Sequence, residues 1–206
     1  MALIFYTNPM SRGRMVRWML EETGAPYQTK IIEYGPPMKA PEYLAINPMG
    51  KVPALSHDGT VVTETAAIIA YLADAFPQAG LAPPPGSVER GPYYRWLFFA
   101  AGPLEAALIN STLKVEIPPE RAGMIGYGNL KLVLDTVEQA LSHGPYILGE
   151  TFSAADILLA SQIGFGLHFK NIEPRPGLAE YAARLWARPA AQRAAAIDGA
   201  FPPANG

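Results

Sequence analysis

Asn47-Pro-Met-Gly-Lys-Val-Pro-Ala-Leu-Ser-His-Asp-Gly-Thr-Val-Val-Thr-Glu-Thr-Ala-Ala-Ile-Ile-Ala-Tyr-Leu72 holds a turn, a strand, a hairpin and a helix in one short string. Asn47-Pro48 and Gly50 mark the turn. Val52-Pro53-Ala54-Leu55 begins the strand, and His57-Asp58-Gly59 is the hairpin turn before Val61-Val62. Thr63-Glu64-Thr65 opens an apolar helix with Ile68, Leu72 and Phe76 at helical spacing. Working outward toward the N-terminus, residues 2–7 read as a buried strand. Met15 to Glu22 reads as an amphipathic helix stopped at Gly24, and Gln28–Glu33 as a second strand. A proline-rich loop, residues 34–41, follows. The order βαβ, short helix, ββα predicts an α/β domain built on a mixed four-stranded sheet.

Downstream the composition changes abruptly. Phe76-Pro-Gln-Ala-Gly-Leu-Ala-Pro-Pro-Pro-Gly86 favours an extended connector, so the expected division is residues 1–77, a linker over 78–87, and an all-α domain over 88–206. Trp96, Phe99 and Leu104 belong to a helix interrupted at Gly102-Pro103. Tyr127, Leu130, Leu134, Val137 and Leu141 step by helical intervals along one face. Ser153-Ala-Ala-Asp156 is a capping-box start, and the apolar run after it predicts a helix inside the second domain. Gly164 and Gly166 weaken its later turns or allow a close neighbour.

Composition narrows the function. Half of the 206 residues are hydrophobic and 17% are charged, which excludes a disordered chain. With a formal net charge of −2 there is no broad basic field, so nucleic acid is not an expected partner. No leader-like start and no membrane-spanning run is visible, which points to a soluble cytoplasmic protein without membrane partners. There is no cysteine, hence no disulfide and no protein thiol nucleophile. Three dispersed histidines, at 57, 143 and 168, argue against a metal site.

The 47–72 string resembles the glutathione-binding half of the glutathione S-transferase family, whose thioredoxin-like domain carries Val-Pro, then Glu-Ser or Glu-Thr, then Ala-Ile at these separations. Ser153 and Asp156 are similar to that family's central-helix signature. The resemblance implies a thioredoxin-like N-terminal domain, an all-α C-terminal domain, glutathione as co-substrate without metal, and a homodimer.

Glutathione carries two carboxylates, an amine and a thiol, and the sequence offers a candidate for each. The N–H groups of the helix beginning near Thr63, with the Thr65 hydroxyl, suit the γ-glutamyl carboxylate, and Glu64 can accept from the amine. The bland alternative is capping by Thr63. Val52 resembles the family residue whose backbone pairs with the cysteinyl part, and Pro53 would then be cis. Lys39 and Lys51 are candidates for the glycine carboxylate. The thiolate stabiliser falls within Tyr6 to Arg14. One register puts Ser11 on the catalytic position of bacterial members; the other puts Asn8 where animal members have tyrosine, and both stay open. Arg12 adds charge nearby, while helix capping is the plain alternative for Ser11.

The electrophile pocket is expected between the domains, from Met10, Met38, Phe99 and Ala106. The resulting reading is glutathione thiolate attack on a small hydrophobic electrophile. Isomerisation, reductive ether or halide cleavage and peroxide reduction could use the same site, and a non-catalytic binding or interaction protein is the reading from another class.

Overall fold

The computed structural model describes residues 2–201. Among them, residues 2–80 with 188–201 form one compact unit and 81–187 form another. The first contains β1 (Leu3–Thr7), α1 (Gly13–Thr23), β2 (Gln28–Ile31), α2 (Pro41–Leu44), β3 (Ala54–His57), β4 (Thr60–Thr63) and α3 (Thr65–Ala75). The sheet order is β2-β1-β3-β4, with β1 and β2 parallel and the other pairs antiparallel. The expected ββα string is thus present, and Asp58 and Gly59, both at positive φ, make its hairpin turn. β2 stops at Ile31, short of Glu33, because it is an exposed edge strand whose last rung is the Ile32 amide donating to the Thr7 carbonyl at 2.8 Å.

One face of the sheet packs apolar side chains against α1 and α3. Phe5, Met15, Met19, Leu20, Leu55, Ile68, Ile69 and Leu72 are all fully buried there, each contributing about 1.5–3 kcal/mol of burial. A smaller cluster of Tyr6, Tyr43 and Ala54 is flanked by Ile4, Ile46 and Val52. Tyr6 therefore sits in the sheet, its ring 6.0 Å from that of Tyr43 on α2.

The second unit holds α4 (Arg90–Phe99), a five-residue π-helical segment (Ala100–Leu104), α5 (Glu105–Thr112), α6 (Leu130–Leu141), α7 (Ala154–His168) and α8 (Pro176–Trp186). Pro103 lies inside the π-helical segment, where the sequence predicts an interruption. α7 is buried on nearly all sides. The Asp156 carboxylate reaches back to the Ser153 amide at 2.9 Å and also accepts from the Ile147 amide and the Tyr181 hydroxyl, each at 2.8 Å. Burial pushes this carboxyl up, and those donors oppose the shift. Gly164 lies against the Trp186 indole and Gly166 against Ile172, so close packing explains both glycines.

One expectation needs correcting. The last helix, α9 (Pro189–Asp198), expected in the helical domain, packs instead on α1 in the first unit. Ala190, Ala191, Ala194 and Asp198 form its buried face. Small side chains let it lie close to α1, and Asp198 meets the buried Arg17 guanidinium at 2.7 Å. Among the described residues no helix is long and apolar enough to cross a membrane.

Candidate functional site

Sheet register gathers the candidate segments. Tyr6 pairs with Ala54, and Ala54 with Thr63. The chain leaving β1, the residues entering β3 and the residues leaving β4 are therefore neighbours at one end of the sheet. These are the 8–12 turn, Val52-Pro53 and Glu64-Thr65.

The Val52–Pro53 bond is cis. Val52 is half-buried, and neither its amide nor its carbonyl has a hydrogen-bond partner among the described residues. Such groups next to a sheet are the donor and acceptor an extended peptide needs. The residue before Val52 is firmly held: the Lys51 carbonyl accepts from the Tyr43 hydroxyl at 2.6 Å and the Asn47 side-chain amide at 2.8 Å. Burial, with a smaller effect from Tyr6, pushes the Tyr43 phenol up to about 12.

Glu64 occupies the cap position of α3 at φ 67, ψ 122, and its side chain makes no cap bond. The helix therefore does not use Thr63 in the cap position. A non-glycine residue held there carries strain of roughly 1–3 kcal/mol. It exposes the Glu64 carboxylate and starts the helix at Thr65, whose first-turn amides precede the intrahelical bond from Ile68 to Glu64.

The 8–12 turn is built differently. The Ser11 hydroxyl donates to the Asn8 carbonyl at 2.6 Å and accepts from the Gly13 amide at 2.9 Å, so it closes the turn ahead of α1, whose cap position is Arg12 without a side-chain cap bond. Asn8 is buried; its Nδ2 donates to the Ile32 carbonyl at 3.1 Å and its Oδ1 accepts from the Met10 amide at 2.9 Å. Both sequence registers thus lead to the same turn, and each side chain helps to build it. Arg12 is exposed beside Tyr34, whose phenol is raised mainly by burial and lowered by that charge.

The two lysines separate. Lys39 Nζ donates to the Met49 and Gly50 carbonyls at 2.9 and 3.2 Å, bracing the turn before Val52. Gly50, at φ 55, has no room there for a Cβ against the Met38 carbonyl and Lys39. The Lys51 ammonium is exposed and meets no acceptor among the described residues.

Residues 10–75 match the family profile "Glutathione S-transferase, N-terminal domain" and residues 120–184 match "Glutathione S-transferase, C-terminal domain". Glutathione S-transferase GstA of Escherichia coli O157:H7 is 32% identical over 160 residues, covering 77% of this chain and 79% of that one. The chain belongs to the glutathione S-transferase family. A crystal structure of a family member from Methylococcus capsulatus superposes with a TM-score of 0.80 at 31% identity, covering 96% of this chain and 99% of that one. A sphingomonad glutathione S-transferase, solved in complex with glutathione, gives a TM-score of 0.77 at 27% identity over 95% and 98% of the two chains. The thioredoxin-like unit and helical domain are those of this family.

In this family member the expected pocket residues have unequal surroundings. Met10 is 53% exposed, whereas Met38 is 5% exposed and behaves as core. In the helical unit Phe99 and Ala106 are half-buried, and the Phe99 ring meets Trp96 edge-on at 5.2 Å. A cleft of about 280 Å³ in that unit, lined by Glu138, Pro145, Tyr181 and Arg184, touches none of the expected residues.

Sequence reasoning missed Tyr34, whose hydroxyl donates to the Met10 carbonyl at 3.1 Å, together with Tyr43 and Asn47 behind Lys51. Asn47 had a usable signal, the Asn-Pro-x-Gly turn. The tyrosines bond to distant backbone, which no local pattern reveals.

Proposed function

We propose that the protein binds reduced glutathione and activates its thiol for attack on a small hydrophobic electrophile. The observation that carries this reading is the unpaired backbone of Val52 beside the strained start of α3. Family membership and the glutathione complexes of the sphingomonad and Sulfitobacter relatives support it.

Val52 receives the cysteinyl part as an added strand, one amide donating and one carbonyl accepting. The first amides of α3 and the Thr65 hydroxyl take the γ-glutamyl carboxylate, and Glu64 takes its amine. Lys51 is the better placed of the lysines for the glycine carboxylate, since Lys39 is committed to backbone carbonyls. The sulfur then lies by the 8–12 turn and the N-terminus of α1. A thiol of pKa about 8.5 is only a few per cent ionised at pH 7, and lowering it by ~2 units requires about 2.7 kcal/mol. The helix dipole, Arg12 and one hydrogen bond supply this order of energy. Ser11 can give that bond by turning its proton from the Asn8 carbonyl to sulfur, while its oxygen keeps the Gly13 amide. The thiolate forms a carbon–sulfur bond, and the leaving group departs with its electron pair.

Met10, exposed on the 8–12 turn, is the proposed contact for the electrophile, in a homodimer working in the cytoplasm. Calorimetry with reduced glutathione, against Thr65→Ala, tests the tripeptide site. Saturable binding that weakens in the variant, followed by turnover of an electrophile, is the expected result. Absence of binding at millimolar glutathione removes the proposal, and binding without turnover leaves a carrier or interaction protein.

A further inference from the structure

Arg14 is a buried cation that the chemistry above does not use. Its guanidinium faces two ways. Nε donates to the Pro9 carbonyl at 2.5 Å, while Nη1 and Nη2 donate to the carbonyls of Gly199, Asp198 and Ala200 at 2.9, 3.2 and 3.0 Å. The Phe201 ring covers the same guanidinium at 4.3 Å. The Asp198 carbonyl closes α9, where helix carbonyls lack internal partners and favour a cation, and those of Gly199 and Ala200 follow directly after it. The fourth belongs to the turn that contains Asn8, Met10 and Ser11.

Pro9 sits between the two hydrogen-bonded halves of that turn. Its carbonyl fixes the plane of the peptide leading to Met10, whose amide is bound to Asn8 Oδ1. That plane sets the approach of Ser11 to the Asn8 carbonyl. An arginine fork can hold one carbonyl on each side in fixed relation, which a single ammonium cannot do. The neighbouring cation, Arg17, is engaged elsewhere. It bonds Asp198, Tyr27 and Thr29 and contacts no residue of the turn among its hydrogen bonds.

We propose that residues 198–201, gripped by Arg14, are a built-in support of the 8–11 turn, and that Arg14 is a positioning residue for the group facing the glutathione sulfur. The second half of this statement rests on the glutathione-activating function proposed above. The first half does not.

The experiment compares Arg14→Lys with Asp198→Asn in the full chain. Asp198→Asn weakens the Arg17 pair but leaves the backbone acceptors of Arg14. Amide exchange at Met10 and Ser11 is read by NMR without ligand, and ionisation of bound glutathione is read by ultraviolet thiolate absorbance against pH. Arg14→Lys should speed exchange at both amides about tenfold and move the bound thiol's ionisation up by about one pH unit. Asp198→Asn should lower the melting temperature and change neither readout. Equal exchange and equal thiol ionisation in the two variants overturns the proposal. If Arg14→Lys does not fold, Phe201→Ala, which strips the ring from the guanidinium and opens its bonds to residues 198–200 to water, replaces it; faster exchange at Met10 supports the bracing role and unchanged exchange overturns it. If the wild type binds no glutathione, the proposed function falls and the sulfur-positioning half with it, while the exchange readout still decides the support of the turn.

Discussion

The two halves of the candidate site are constructed on opposite plans. At Val52, Glu64 and Thr65 the chain leaves backbone groups without partners and accepts a strained φ of 67 to do so. At Asn8 and Ser11 every conspicuous side-chain donor or acceptor is already bonded within the turn or to its immediate neighbours. A peptide backbone is best received by a fixed, unsatisfied edge, because its hydrogen bonds then add without others being lost. A reacting sulfur needs a hydrogen bond only in its ionised form, so a hydroxyl resting on a carbonyl can be released when the charge appears.

Mutations at the two halves should therefore separate stability from binding. The largest expected effect is Asn8→Ala, which removes two partly buried hydrogen bonds and orphans the Ile32 carbonyl and Met10 amide. It should cost about 2–3 kcal/mol of stability, measured by urea unfolding, and a loss below about 0.5 kcal/mol would break the contrast. Ser11→Ala comes next, with about 1 kcal/mol lost as the Gly13 amide loses its acceptor and a fall in kcat larger than any change in KM.

Glu64→Gly should act in the other direction on folding. Relief of the positive φ raises stability by about 1 kcal/mol, while glutathione affinity drops about tenfold as the start of α3 loosens and the carboxylate goes. A destabilised Glu64→Gly variant would contradict the strain argument. Thr65→Val tests the open edge alone: about five- to tenfold weaker glutathione binding by calorimetry, with an unchanged melting temperature.

The smallest effect is alkaline. The Tyr43 phenol ionises near 10 when unfolded and at about 12 in the fold, because burial disfavours its charge. Between those values the unfolded chain releases the proton first and binds fewer protons than the native state. Stability from this group is complete below pH ~10 and declines as the pH rises through about 12. Tyr43→Phe should flatten that decline in denaturation curves, and an identical slope in both proteins would remove Tyr43 as the cause.

Periodicity and turn chemistry make the frame readable in the sequence itself. His57-Asp58-Gly59 could only be a tight reversal, and Ser153 to Asp156 announced the buried start of α7. The open edge was legible only through resemblance, since nothing about Val52 as a residue type says that its amide lacks a partner. The ambiguity between Asn8 and Ser11 could not be resolved because both belong to one turn, whose bonds run to Ile32 and to the start of α1. α9 was misplaced for a related reason. Its alanine face is nearly featureless, and the arginines that receive its end lie at positions 14 and 17, at the other end of the sequence.

That return of α9 to α1 also bears on how the protein is made. Synthesis runs from the N-terminus, and domains generally fold as their chain emerges. Here the thioredoxin-like unit lacks its last helix until residues 81–187 have all been delivered. Arg14 and Arg17, buried in the finished molecule, have no α9 acceptors during that interval. The unit that starts folding first is the one completed last.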